Sequence, residues 1–341
     1  MPENTVRALP RRVWFPMGHA LEIRTNSADV LSIASNLWAE FPYLEQSAPV
    51  QLTVEVYDGH TARRLPSIQC EESVITITQG TENFGVANLN AGTGVIRVGA
   101  DLPHNAPWFA YHFLEPIAYA LLGVRHFTML HAACVAHENS AVLLCGASGA
   151  GKTCLAYACA KRGWSFVTGD AAHLVRRVVS PTIIGRPFSI RFRSSAKRIF
   201  PELARYRASA RPNGKRDLEL DPRNLGIQIA LQARPSLIVF LNRVAIIGKP
   251  VAEPVSIDEA RNLLSEWICL GDSRLRSEQR AALERLLETP AVRMTFSDPF
   301  AAEELLRSKI SAAQAASAAN GSRTQKHAPR CAPFSTHRSP P

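Results

Sequence analysis

The chain has 341 residues, of which 46% are hydrophobic and 20% are charged. This balance is typical of globular proteins and excludes a fibrous or largely disordered chain, while the length fits one large domain or two ordinary ones. No apolar run reaches the roughly 20 residues that a membrane-spanning helix needs, and no apolar segment follows the basic N-terminal residues. We therefore expect a cytoplasmic protein with no membrane partner.

The formal net charge of +10 is unevenly distributed. Residues 312–341 carry basic residues and no acidic one, and residues 197–223 form a second basic stretch. Nucleic acid is one possible acidic partner. The stretch 197–223 contains only Phe200 and Tyr206 as stacking aromatics, however, and it matches no nucleic-acid-binding motif. We therefore expect no nucleic acid partner.

Alternation of apolar and polar residues predicts strands in the first third of the chain. It occurs in residues 51–58, 73–80 and 94–100, and we expect these strands to form an antiparallel sheet. An apolar period near 3.6 residues then predicts a helix over 108–122 that ends at Gly123. We interpret residues 1–122 as a smaller α+β accessory region.

A different order of elements follows. Two strands are predicted at 131–136 and 140–145, joined by a turn at 137–139, and a helix is predicted over 150–162. Further strands are expected at 165–167, 174–179 and 236–241, and further helices at 257–264 and 278–287. This order predicts an α/β domain over residues 123–311. The Ala-, Ser- and Pro-rich basic segment 312–341 is predicted to be a disordered tail.

The central motif lies between the apolar strand AVLLC and the following helix. It matches the P-loop pattern G-x-x-x-x-G-K-[ST] at Gly146, Ala147, Ser148, Gly149, Ala150, Gly151, Lys152 and Thr153. In such a loop, backbone N–H groups and the helix N-terminus bind phosphate, the lysine reaches the β and γ phosphates, and the hydroxyl binds Mg²⁺. The alternative is a chance glycine-rich turn, which the combination of strand, lysine, hydroxyl and helix disfavours. The motif predicts a site for ATP and Mg²⁺.

The first acidic residue after the motif helix is Asp170, just beyond the short strand segment 165–168. A carboxylate at this place can hold Mg²⁺ or accept the proton of an attacking hydroxyl. The alternative is an aspartate that caps a turn, and its neighbours Gly169 and Ala171 are compatible with one.

These residues carry a family resemblance. The string LHAACVAHENSAVLLCGASGAGKT, followed by GWSFVTGD, resembles the catalytic domain of HPr kinase/phosphorylase and the wider HPr-kinase-like family. The resemblance covers about residues 125–310 and implies an α/β P-loop domain of the phosphoenolpyruvate-carboxykinase-like type. It implies that His131 is the histidine upstream of the P-loop and that Asp170 is the second aspartate of the family pair. Gly169 stands where the family has the first aspartate, its expected general base.

The resemblance implies an ATP-dependent serine/threonine kinase that acts on a protein or peptide. Thr153 and Asp170 would hold Mg²⁺, and Asp170 and His131 would take part in the chemistry. Because Gly169 cannot transfer a proton, a second hypothesis is a catalytically weak ATP-binding module that regulates or binds a peptide. An ATP hydrolase is a third. HPr kinases are commonly hexameric, so the resemblance also implies possible homo-oligomers.

Two basic features close to the motif have two interpretations each. Arg191 and Arg193 either neutralise phosphate oxygens during transfer or form the solvated face of a strand. The stretch 197–223 is predicted to be a mobile surface loop, with capture of a protein substrate as the alternative hypothesis.

Overall fold

The computed structural model describes residues 9–44, 47–59, 64–138, 140–266 and 272–325, with side chains described up to residue 312. The described chain has a mixed α/β structure with several sheets, which contain both parallel and antiparallel strand pairs. None of its described helices combines the length and the apolar character needed to cross a membrane.

The N-terminal part of the described chain is built on a mixed sheet. Its strands are β1 (Arg11–Trp14), β2 (Leu21–Thr25), β3 (Val50–Tyr57), β4 (Ser67–Glu71), β5 (Val74–Gln79), β6 (Asn83–Asn88) and β7 (Thr93–Gly99). Its helices are α1 (Ala28–Trp38), α2 (Asp101–His104), α3 (Ala106–Phe109), a π-helical turn (Ala110–Leu114) and α4 (Glu115–His126). The strand order is β1-β2-β3-β7-β6-β5-β4. Alternate side chains of β3 are buried, so the sheet packs its apolar face against the helices.

The structure corrects the predicted antiparallel arrangement of this sheet. Strands β3 and β7 pair in parallel. Strand β6, which was not predicted, lies between β5 and β7 and is antiparallel to both. Its inward positions hold Asn83, Gly85 and Ala87, which are small or polar. The apolar alternation that signals a strand is therefore absent from β6, although helix α4 packs closely over Gly85.

The helix predicted to end at Gly123 continues to His126. Gly123 does not have the left-handed conformation of a helix-ending glycine, and a side chain there would meet no atom within 4 Å. The carbonyl groups at the end of α4 instead accept hydrogen bonds from Arg176. Its guanidinium donates to the Gly123 oxygen at 2.6 Å and also to the oxygens of Val124 and Phe127.

The C-terminal part contains the remaining elements. Its strands are β8 (Phe127–Leu130), β9 (Ala132–His137), β10 (Ser140–Cys145), β11 (Ser165–Thr168), β12 (Ala172–Val175), β13 (Ile183–Ile184), β14 (Ile190–Phe192), β15 (Ser209–Ala210), β16 (Arg216–Leu220), β17 (Gln232–Ala233), β18 (Pro235–Arg243), β19 (Val251–Pro254) and β20 (Ala291–Phe296). Its helices are α5 (Lys152–Lys161), α6 (Ile257–Ser265), α7 (Ser273–Leu286) and α8 (Pro299–Gln325). Short 3-10 turns cover Ser194–Arg198, Pro201–Arg205 and Pro222–Leu225.

A central sheet organises this part, with the strand order β11-β9-β10-β18-β20-β19. Strands β10, β18 and β20 run in parallel, and β11 shares their direction because β9 is antiparallel to both β10 and β11. One face packs against α5 and α8, and the other packs against α6 and α7. All six residues of β10 are buried, as expected for a strand covered on both faces. The carboxyl ends of β10, β11, β18 and β20 therefore meet at one edge.

The basic stretch 197–223, which was predicted to be a mobile surface loop, contributes β15 and β16 to a small sheet with the strand order β14-β16-β15. Phe200, Leu203 and Leu218 of this stretch are buried. The Tyr157 ring of α5 stands edge-on to the rings of Phe192 and Phe200, with centroids 5.0 and 4.8 Å apart. A few well-spaced apolar residues are enough to order this otherwise charged stretch.

The first residues of the predicted disordered tail also differ from the prediction. Helix α8 continues to Gln325, so the backbone of residues 312–325 is helical. The segment has few large apolar residues, but it is rich in alanine, the strongest helix former. Residues 326–341 lie outside the described residues. The division at residue 122 remains a prediction, and it falls inside helix α4.

Candidate functional site

The loop of residues 146–153 leaves β10 at the carboxyl edge of the central sheet and enters α5 at Lys152. Gly149 and Gly151 have φ angles of 93° and 94°, in the left-handed region that favours glycine. A Cβ at Gly151 would also lie 3.1 Å from the Phe296 ring and 3.2 Å from Cδ of Arg243. The loop conformation therefore requires glycine at these positions, and it directs the open end of α5 toward the edge of the sheet.

Lys152 turns its side chain back into this loop. Its Nζ donates hydrogen bonds to the carbonyl oxygens of Gly146 at 2.7 Å and Ala147 at 3.3 Å, and it lies 2.8 Å from Nε2 of His131. The residue is only 5% exposed. Burial lowers the pKa of the Lys152 ammonium group, and the charge of Asp170 partly opposes this shift. The loop thus holds a desolvated cation whose direct partners are neutral.

His131, directly before β9, connects this cation to Asp170. Its Nδ1 lies 3.2 Å from Oδ1 of Asp170, while its Nε2 faces Lys152. A lysine ammonium group can only donate, so Nε2 accepts and Nδ1 carries the proton that is donated to the carboxylate. The side chain of Asp170 is 74% exposed. The imidazole is therefore held in one tautomer, and the carboxylate that it orients is open to solvent beside the loop.

Thr153 and Gly169 lie next to each other at the same edge. The Thr153 hydroxyl donates to the carbonyl oxygen of Gly169 at 3.3 Å. A Cβ at Gly169 would lie 3.3 Å from the Phe166 ring and 3.9 Å from Cγ2 of Thr153. Gly169 has no positive φ angle. An aspartate would therefore fit here after the Phe166 ring moves by a few tenths of an ångström.

Two arginines flank the loop. Arg193, directly after β14, donates from Nη2 to the Ser148 hydroxyl at 2.9 Å, and its Nη1 lies 3.7 Å from where a Gly149 Cβ would be. Arg243 ends β18 and packs against Gly151. Both are exposed, and neither forms an ion pair with a carboxylate in the part of the chain that the structure describes.

The two interpretations of the neighbouring arginines apply to different residues. Arg191 pairs with Glu219 at 3.0 Å and belongs to the solvated face of its strand, whereas Arg193 contacts the loop. Arg186 pairs with Glu115 and lies over the Tyr119 ring beside α4. Sequence reasoning did not identify Arg243, because its position depends on the strand order, which places the end of β18 next to β10.

The predicted site residues are thus neighbours at one sheet edge, and their roles remain predictions. Within the described ranges, no group of three or more His, Cys, Asp and Glu side chains is arranged to hold a metal ion. The predicted Mg²⁺ ligands Thr153 and Asp170 offer one hydroxyl and one carboxylate. Oxygen ligands of this kind suit Mg²⁺ when phosphate and water oxygens complete its coordination.

Comparisons with known proteins add little to this geometry. No protein-family model matches the chain, and no curated protein matches it. One similar solved structure is that of the Hpr(Ser) kinase/phosphatase from Coxiella burnetii, with 14% sequence identity, a TM-score of 0.32, and coverage of 57% of this chain and 96% of that chain. Such a low TM-score carries no argument about fold or function. The functional case depends on the residues of the site itself.

Proposed function

We propose that the 146–153 loop binds the phosphates of ATP together with Mg²⁺, and that the protein transfers the γ-phosphoryl group to a serine or threonine hydroxyl of a protein or peptide. One observation carries the proposal. The ammonium group of Lys152 is buried inside a loop of left-handed glycines, and its direct partners are two carbonyl oxygens and an imidazole. A desolvated cation without a carboxylate in direct contact can bind an anionic ligand.

The surroundings of the loop fit a polyphosphate. Gly149 and Gly151 leave the backbone open where side chains would fill the space, and the first turn of α5 has N–H groups without intrahelical acceptors. Arg193 and Arg243 add positive charge on the two sides of the loop. Planar guanidinium groups suit phosphate oxygens, so both arginines would help to hold the nucleotide.

Thr153 and Asp170 would hold Mg²⁺, the former through its hydroxyl and the latter through its exposed carboxylate. When bound, Mg²⁺ and ATP supply the phosphoryl group and neutralise part of its charge. Asp170 is also the group that we assign to accept the proton of the acceptor hydroxyl. The Nδ1–H of His131 orients Oδ1 of Asp170 and leaves Oδ2 of Asp170 available to accept that proton. His131 thereby connects the proton acceptor to the lysine that faces the phosphates.

A second candidate is an ATP-binding module with little or no transfer activity. Gly169 motivates it, because this position supplies no carboxylate beside Thr153, and Asp170 alone would have to bind the metal and accept the proton. The two candidates share the same loop and differ only in chemistry.

Parallel measurements of ATP binding and phosphoryl transfer test both candidates. Binding is followed with a fluorescent ATP analogue, and transfer with γ-labelled ATP and an arrayed library of serine and threonine peptides. The variants are Lys152→Met, Asp170→Asn and Gly169→Asp. Lys249→Met and Asp58→Asn are matched controls, because both residues are exposed and have no ion-pair partner in the described chain.

For a kinase, we expect Asp170→Asn to bind the nucleotide but to lose transfer by about a hundredfold or more, which is typical for the loss of a general base. Lys152→Met should lose both activities, and the two controls should keep both. Phosphoryl transfer that appears only in Gly169→Asp would favour the ATP-binding module over the kinase. Nucleotide binding that is unaffected by Lys152→Met would reject both candidates.

A further inference from the structure

The segment of residues 191–221 contains nine Lys and Arg residues and four Asp and Glu residues. Each of its four carboxylates already forms an ion pair. The pairs are Glu202 with Lys161, Asp217 with Arg211, Glu219 with Arg191, and Asp221 with Arg223. Seven cations of the segment have no carboxylate partner among the described residues. These seven, which we call the basic surface, are Arg193, Lys197, Arg198, Arg205, Arg207, Lys215 and Arg216.

The contacts of the basic surface leave its charge uncompensated. Lys197 donates to the carbonyl oxygen of Tyr206 at 2.8 Å, Arg205 donates to the Tyr206 hydroxyl at 2.8 Å, and Arg216 donates to the carbonyl oxygen of Ala208 at 3.0 Å. All of these acceptors are neutral. Several like charges on one segment repel one another, so binding of an anionic partner would relieve the repulsion.

The basic surface is fixed next to the loop. At one end, Arg193 contacts Ser148 of the loop itself. The same segment packs through Phe192 and Phe200 onto Tyr157 of α5, the helix that follows the loop. The basic surface therefore adjoins the proposed phosphate site.

The other end of the segment reaches the N-terminal part of the protein. The amide of Asn213 donates to the Tyr111 hydroxyl at 3.0 Å, and the guanidinium of Arg211 lies over the Tyr111 ring. Tyr111 belongs to the π-helical turn before α4. The segment therefore runs from the loop to the helical part of the N-terminal region.

We propose that the basic surface binds an acidic stretch of the peptide or protein that supplies the phosphoacceptor hydroxyl. This inference rests on the proposed function and names its substrate class. Binding of acidic residues along the surface would bring an adjacent serine or threonine to the loop at Arg193. Long-range attraction would also accelerate encounter with an acidic substrate at low salt.

The aromatic residues of the segment disfavour nucleic acid as the partner. Single-stranded nucleic acids stack their bases on exposed aromatic rings, in addition to contacting cations with their phosphates. Phe192 and Phe200 are buried. The Tyr206 ring is covered by the guanidinium of Arg205, at 4.9 Å from the ring centroid. The cations of the surface thus lack a stacking platform.

A charge reversal that avoids the loop tests the proposal. The triple variant Arg198→Glu, Arg207→Glu, Lys215→Glu changes three side chains that form no side-chain hydrogen bond or ion pair in the described chain. The matched control is Arg64→Glu, Arg234→Glu, Arg280→Glu, which reverses three exposed, unpaired cations outside the segment. The probe is a fluorescent peptide of Asp and Glu residues around one serine. A Gln and Asn peptide of equal length, an oligo-dT strand and vesicles with phosphatidylserine serve as comparisons. Anisotropy and vesicle sedimentation measure binding to the full chain, without nucleotide.

We expect the acidic peptide to bind more tightly than the neutral one, and the triple variant to weaken its binding by about tenfold at low salt, as three exposed charges would give. The control variant should bind like the wild type. Equal loss in the control, or equal binding of both peptides, would overturn the proposal. Tighter binding of oligo-dT or of the vesicles would mean that nucleic acid or a membrane, and not an acidic peptide, is the partner of the basic surface. Binding of the acidic peptide by a protein that fails to bind ATP would reject the proposed function and leave the basic surface intact.

Discussion

Arg176 and Lys152 are buried cations that both donate hydrogen bonds to backbone carbonyl groups. They differ in the number of carbonyl partners and in whether a carboxylate lies directly beside them. The side chain of Arg176 is 1% exposed and donates to three carbonyl oxygens at the end of α4, with a carboxylate oxygen of Glu278 3.6 Å from its Nε. Lys152 donates to two carbonyl oxygens and contacts His131, and its carboxylate neighbour Asp170 lies beyond that imidazole. Burial lowers the pKa of both cations.

Under the proposed function, the difference is that between a structural cation and a ligand-binding one. Arg176 satisfies carbonyl groups at a helix end that would otherwise be unpaired, and the negative C-terminal end of the helix stabilises its charge. Lys152 lies at the opposite kind of helix end, where the N–H groups of α5 favour a negative charge. Three carbonyl oxygens and the Glu278 carboxylate therefore already surround Arg176. Under the proposed function, a bound anion would neutralise the charge of Lys152.

The largest effect is expected at Arg176. Arg176→Met should lower the free energy of unfolding by about 3 kcal/mol, because it leaves buried carbonyl groups and Glu278 without their partner. Arg177→Met is the matched control. Arg177 pairs with the same Glu278 at 3.5 Å, but its side chain is 69% exposed. The control should cost less than about 0.5 kcal/mol.

Urea unfolding of the two variants and the wild type gives these free energies. Similar losses in Arg176→Met and Arg177→Met would mean that the ion pair with Glu278, and not the cap of α4, determines the effect. The structural role of Arg176 would then be wrong.

The substitution Lys152→Met tests the second cation of this comparison. Removal of its ammonium group should reduce affinity for ATP by about a hundredfold, as the loss of hydrogen bonds to a charged ligand does. The same variant should change the free energy of unfolding by less than about 1 kcal/mol, because the substitution removes a buried charge and retains the apolar stem. Fluorescence titration and urea unfolding measure the two quantities. A loss of stability as large as that of Arg176→Met, with unchanged ATP affinity, would make Lys152 a structural cation as well.

A contiguous motif and a resemblance singled out residues 146–153, Asp170 and His131, and the structure places them together at one sheet edge. Their roles stay predictions, whereas part of the sheet arrangement was predicted wrongly. Strand β6 was missed because small and polar residues point inward. The parallel pairing of β3 with β7 depends on contacts between distant segments. Arg243 was missed for the same reason, since only the strand order brings it to the loop.

Arg193 and Arg191 test the electrostatic part of the site. Arg193→Gln should weaken ATP binding by about tenfold, because it removes a charge that contacts the loop without being buried in it. Arg191→Gln is the matched control: it lies two residues earlier, and its charge is already paired with Glu219. Its effect should be less than about twofold. Titration with the fluorescent ATP analogue at two salt concentrations measures both. An equal effect of the two substitutions would indicate general positive charge instead of a contact with phosphate.

The smallest effect concerns two histidines, His19 and His126, whose burial disfavours a positive charge. His126 stacks on His19 with ring centroids 3.9 Å apart. Burial lowers the pKa of His126 to about 3, with further contributions from the charges of His19 and Arg176, and burial lowers the pKa of His19 to about 4. The folded state therefore binds fewer protons than the unfolded state between those values and the ordinary pKa of 6.5. The free energy of unfolding must fall as the pH falls through this window.

From about pH 7 to about pH 5.5, each such histidine should contribute about 1 kcal/mol to the loss of free energy of unfolding. His126→Gln should reduce the loss by that amount, whatever it does to stability at pH 7. Urea unfolding at both pH values measures the difference, and an equal loss in His126→Gln and the wild type would show that His126 is not buried and neutral in the folded protein.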